Sequence, residues 1–167
     1  MPNTPQYTQY LASLIQGIGL AEVSDVRELL LRYSQQHELI IGDLIDLTAA
    51  RLGLVVMSLD SPTVNMDFQN YFNAGLSKSC SDWGYDNVPT KGNHNHDDIA
   101  LRFSTLWQKG LMEFCHFMAS HQKDKGFTWD RLLMIEGMAL GDMICETPEP
   151  AEHLDRLRKM VAYSTKL

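Results

Sequence analysis

Two histidines and two aspartates stand close together as His94, His96, Asp97 and Asp98. Imidazole and carboxylate groups are common ligands of first-row divalent metals. A helix starting just after them disfavours protonated imidazole and so leaves it free to ligate. His94, His96 and Asp97, with Glu136 as a further acid, are therefore the candidate metal site of a metal-dependent hydrolase with a divalent metal ion as cofactor. The plainer reading of the same residues is a polar loop that ends in a helix cap, with two acids in the first turn. A phosphohydrolase-like His-Asp site needs another upstream His and a downstream Asp. His37 and Asp142 are available, but no spacing ties them to the cluster.

Other pairs carry less. Glu113 and His116 form a Glu-x-x-His, the spacing that di-iron carboxylate bundles use twice; here it occurs once. Cys115 and His116 are adjacent, and neighbours on a helix point about 100° apart, so they cannot act as nucleophile and base. Arg32 and His37 resemble a helical-nuclease pairing, set in the most acidic part of the chain, which is unfavourable for a phosphate substrate. Asp43 and Asp46 share a helix face, whereas Glu136 and Asp142 are six apart and do not. Magnesium-binding helical pyrophosphatases need two well-spaced acidic pairs. Cys80, in a polar stretch, is the thiol expected to react; Cys115 and Cys145 read as small buried hydrophobes. Glycine-rich phosphate loops and a nucleophile elbow are absent.

The elements that must position these residues are helical. Thr4-Pro5 opens a helix with Tyr10, Leu11, Leu14, Ile15 and Ile18 on one side, closed by Gly17 and Gly19. Ser24 is the expected N-cap of a second helix, with Asp25 and Glu28 in its first turn and Val26, Leu29, Leu30 and Tyr33 facing inward. A third covers residues 42–59 and becomes apolar on all sides. A short amphipathic piece spans 66–76, and residues 77–95 read as a long loop rich in Ser, Asn, Asp and Gly, with Trp83 and Tyr85 docked somewhere. A long helix follows over 96–121, with Gly126 as C-cap. Residues 128–145, TWDRLLMIEGMALGDMIC, form the most apolar helix, with Glu136 and Asp142 inside it. A last helix opens at Thr147-Pro148-Glu149. The expected fold is all-α: a single-domain bundle of six or seven helices over residues 1–167, built around an antiparallel 96–121 and 128–145 pair. Gly137 and Gly141 allow another helix to come close, from within the chain or from a second copy in a homodimer.

At 167 residues, 44% apolar and 21% charged, the chain can bury a full core. Its net charge is −7, and residues 1–100 carry 12 acids against 5 Lys or Arg, while residues 101–167 carry 9 of each. That field repels nucleic acid and attracts basic partners. A faint helix-turn-helix outline around LTAARLGLVVMSLDS fails because its second helix would begin Leu54-Val55-Val56-Met57, with nothing to read bases. Three scattered cysteines fit a reducing compartment. The start, MPNTPQYTQY, lacks the pattern of a signal peptide, and the longest apolar run is too short for a bilayer, so a cytoplasmic protein is expected. The leading functional expectation is a small acidic binding protein without cofactor: an inhibitor, immunity protein, adaptor or chaperone-like module. Asp25, Glu28, Asp43 and Asp46 would meet a basic protein surface, with Trp83 and Tyr85 as aromatic anchors.

Overall fold

The helical periodicities resolve into eight α-helices: α1 (Pro5–Gln16), α2 (Leu20–Gln36), α3 (Ile41–Met57), α4 (Pro62–Asp82), α5 (His96–Thr105), α6 (Leu111–Lys125), α7 (Trp129–Cys145) and α8 (Pro150–Ser164). The structure is a computed structural model that describes residues 5–57, 62–85, 96–106 and 108–165, without the side chains of Met57, residues 62–66 and His96. No strand occurs among the described residues, so the all-α class holds and the helix count rises above the expected six or seven. No helix among them is long and apolar enough to cross a membrane.

Three boundaries differ from the sequence reading, each for a local reason. The stretch expected to be a loop from residue 77 is helical to Asp82. It stops because Gly84 takes a left-handed φ of 83°. Tyr85 N–H then reaches back to the Cys80 carbonyl at 2.7 Å, and Gly84 N–H to Ser81, which satisfies the last carbonyls of α4. The rest of that expected loop, residues 86–95, lies outside the described residues. The expected long helix is broken: α5 ends at Thr105 and α6 starts after Gly110, whose φ of 89° is left-handed and where Leu111 N–H bonds to the Leu106 carbonyl. Finally, α2 begins at Leu20, after Gly19, so Ser24 lies inside the helix and is not its cap.

The centre is α7, but its main partner is α4 rather than the helix before it. A Cβ on Gly75 would run into the Met134 carbonyl oxygen, and one on Gly137 into the Phe72 carbonyl oxygen. The two backbones therefore touch. They run in the same direction: Phe68 meets Trp129 at one end, and Ser79 meets Asp142 at the other. The glycine face that left room for a second copy is thus filled from within. With α2 on another side, every residue of α7 from 132 to 145 is buried except half-buried Asp142. On the far side α3 packs along α8, where buried Ser164 donates from Oγ to the Ala49 carbonyl at 2.7 Å. One continuous apolar cluster draws on α2 through α8, while α1 buries none of its residues.

Candidate functional site

Within α3 a single charge, Arg51, stands between Asp46 and Asp60 in an otherwise uncharged run. Apolar neighbours carry that helix into the core, and Arg51 goes with it to 2% exposure. An isolated buried charge is very costly, so a partner is required. Glu136 of α7, also 2% exposed, supplies it: Arg51 Nη1 donates to Glu136 Oε1 at 2.6 Å. Burial pushes the Glu136 carboxyl above the usual carboxylate range, and the Arg51 charge opposes that rise. The guanidinium also lies 5.5 Å from the ring centroid of Trp129, in the first turn of α7. Its Nη2 is buried and has no hydrogen-bond partner among the described residues. Arg51 lines a cavity of about 400 Å³ together with Leu54, Met112, Cys115, His116 and Trp129. Burial raises the Cys115 thiol, with Arg51 pulling the other way, so the cavity holds a thiol and not a thiolate. Sequence reasoning passed over Arg51; the available signal was one base in a helix apolar on every side.

The residues expected to carry chemistry are dispersed. His94 lies outside the described residues, and His96 begins α5 with a side chain that is not described. Asp97 is exposed in the first turn of that helix. Glu136, the acid meant to complete the set, is held by Arg51 in the core and is not free to ligate. No group of three or more His, Cys, Asp or Glu able to hold a metal occurs among the described residues. Glu113 turns to His37, with Oε1 and Nε2 3.6 Å apart, and not to Glu136.

The acids proposed for a partner divide in two. Asp25 and Glu28 are exposed on α2. Asp43 and Asp46 are buried, contrary to the expectation that they face a partner. Asp43 accepts from Lys109 Nζ at 2.5 Å and from the Ile40 N–H at 3.2 Å, which closes the start of α3. Asp46 takes a two-pronged bond from Arg156, at 2.9 Å from Nε and 2.5 Å from Nη2. Both are therefore internal struts. Tyr85 is half-buried against the core, where it completes the turn after α4. Cys80 is buried rather than exposed and reactive; burial raises its thiol, and the neighbouring Cys145 thiol is pushed up to about 12.

Trp83 does remain at the surface, 44% exposed. Its indole N–H donates to Asp142 Oδ1 at 3.0 Å, and Ser79 Oγ donates to the same oxygen. One helical turn beyond Asp142 is Glu146, which binds Arg27 of α2. That ion pair borders a cleft of about 200 Å³ whose apolar lining includes Leu31, Ile41, Leu44 and Met143. Glu28 lies three residues before Leu31 on the same side of α2, whereas Asp25, six before Leu31, sits further round the helix toward His121 of α6. Trp83 and the cleft thus both lie toward the C-terminal end of α7, linked through Asp142 and Glu146 one turn apart. Comparison with protein-family models, with characterised proteins and with solved structures gives no match, so the reading of the molecule rests on this geometry.

Proposed function

We propose that the protein is a small cytoplasmic binding protein that docks a basic, amphipathic segment of a partner protein at the end of α7. The observation that carries this reading is an exposed tryptophan fixed by a hydrogen bond to Asp142, which stands one helical turn before Glu146 at the border of an apolar cleft. Rigid aromatic anchors beside an apolar pocket are where binding energy concentrates. The exposed acid Glu28 gives the rim its sign, and exposed Asp25 further round α2 and the net charge of −7 extend the same field outward. Asp25, Glu28, Leu31 and Trp83 are the contact residues of this reading. Asp43, Asp46 and Tyr85 support the fold behind them.

Affinity capture from cells of the source organism, followed by kinetics with the purified partner, tests it. Asp25→Lys with Glu28→Lys lowers the association rate at low salt by about tenfold and leaves dissociation nearly unchanged. Trp83→Ala acts the other way, mainly on dissociation. If no protein is captured by wild type in excess over the Leu31→Asp variant, or if neither charge reversal nor Trp83→Ala changes a rate, the docking reading fails.

A further inference from the structure

The cavity beside Arg51 lies apart from the proposed docking face, between α3, α6 and the start of α7. Two helical stripes form its walls. From α3 come Leu54 and Val55, one turn beyond Arg51; from α6 come Met112, Cys115 and Ala119 at spacings of three and four. The other stripe of α6, Leu111, Phe114 and Met118, is already buried in the core. So α6 has two apolar stripes, and the one facing the cavity leaves Met112 46% exposed. The volume, about 400 Å³, falls within the range of sites for small organic ligands.

An apolar cleft alone names no occupant; the buried cation does. Glu136 binds Nη1 and fixes the guanidinium plane, while Nη2 has no acceptor among the described residues. A guanidinium nitrogen donates strong, charge-assisted hydrogen bonds to a carboxylate oxygen. His116 adds an imidazole at the exposed rim. We propose that this cavity binds a small molecule with an apolar body and a single carboxylate, which accepts hydrogen bonds from Arg51 Nη2. The Trp129 ring centroid lies 5.5 Å from the guanidinium carbon and Nη2 is buried, so entry of the head group requires this ring to shift. Glu136 is a positioning residue here and also sets selectivity. It already neutralises Arg51, so a doubly charged head meets more repulsion from Glu136 than a single carboxylate does.

Titration calorimetry on the full chain tests this, with decanoate, decanol and decyl phosphate as ligands. Decanoate binds at least about tenfold more tightly than either of the others. Glu136→Gln keeps the shape of the pair and removes its negative charge; it tightens decanoate and leaves decanol unchanged. Ala119→Trp, on an exposed helix position, fills the cavity and abolishes binding of all three. Arg51→Gln removes the preference for decanoate if the variant folds, and the other two variants decide the matter if it does not. Equal affinity for decanoate and decanol overturns the proposal, as does absence of binding or full binding by Ala119→Trp.

Discussion

At the scale of single residues, environment overrides type. Cys80 and Cys145 are held as buried thiols because α4 and α7 enclose them, and Arg51 is informative because α3 carries its charge into the core. The types and spacings flagged in the sequence identified Glu136 as unusual, but not its partner. Arg51 is 85 positions away, and no local rule links two charges over that distance. His121 shows how such burial becomes a pH effect. It is half-buried near the end of α6, its Nε2 has no hydrogen-bond partner among the described residues, and its ring lies 5.9 Å from Phe127. Burial lowers its pKa below 6.5, Lys125 lowers it further, and Asp124 and Asp25 only partly oppose them. The unfolded chain therefore takes up the proton first as pH falls, so stability is lost on acidification through the unfolded value. His121→Phe removes that contribution. Urea midpoints at about pH 8 and about pH 5.5 should show wild type falling relative to the variant. A gap between the two proteins that is constant with pH refutes the assignment.

At the scale of elements, helices with clean apolar stripes and strong start signals were legible. The helix Trp129–Cys145 is found where its cap and periodicity placed it, the last helix begins at Pro150, just after the expected Thr147-Pro148-Glu149 opening, and Gly126 ends α6 with φ 68° as expected. What periodicity does not encode is the direction of the chain after a glycine. Gly110 fits an apolar stripe as well as it fits a left-handed break, and only the second occurs. Residues 77–82 are rich in Ser and weak in apolar pattern, yet they stay helical because Ser79 and Cys80 are pressed against α7. The small-residue spacing of Gly137 and Gly141 announced a close approach without naming the helix that makes it. That approach is sharply graded. At Gly137 an added methyl meets backbone, including Leu76 N at 2.8 Å, and the backbone of α4 cannot yield without moving the whole helix. At Gly141 it meets only side-chain atoms, Ser79 Cβ at 2.9 Å and Oγ at 3.0 Å, a milder overlap that a small shift relieves. Gly137→Ala should cost about 3 kcal/mol or more, and Gly141→Ala about 1 kcal/mol. Equal losses in urea denaturation would show that α4 and α7 do not touch as closely as this.

At the scale of the whole molecule, the uneven charge of the sequence is in part an assembly device. Acids of the first hundred residues bind bases of the rest: Glu22 with Arg131, Asp43 with Lys109 and Asp46 with Arg156. Two pairs run the other way, Arg27 with Glu146 and Arg51 with Glu136. A net charge of −7 remains to steer a partner, but the asymmetry itself also marks which surfaces fold against each other. These pairs differ in weight because they differ in access to water. The side chains of Asp46 and Arg156 are 5% and 12% exposed, and Gly42 lets the guanidinium lie against α3, since a Cβ there would come within 2.9 Å of Arg156 Cζ. Glu22 and Arg131 have equally good two-pronged geometry, yet are 29% and 38% exposed. Coulomb attraction between the latter is screened, and both ends regain hydration when the pair is cut. Cutting the former leaves a charge in a site built to exclude water, a loss of about 3 kcal/mol or more for either single substitution. A pair of double-mutant cycles separates the two cases. Asp46→Asn with Arg156→Gln should give a coupling of about 2 kcal/mol, and Glu22→Gln with Arg131→Gln less than about 1 kcal/mol. Added salt to about 1 M should erase most of the second coupling and little of the first. Two equal couplings, or two that vanish together in salt, would place Asp46 in water and return it to the surface available to a partner.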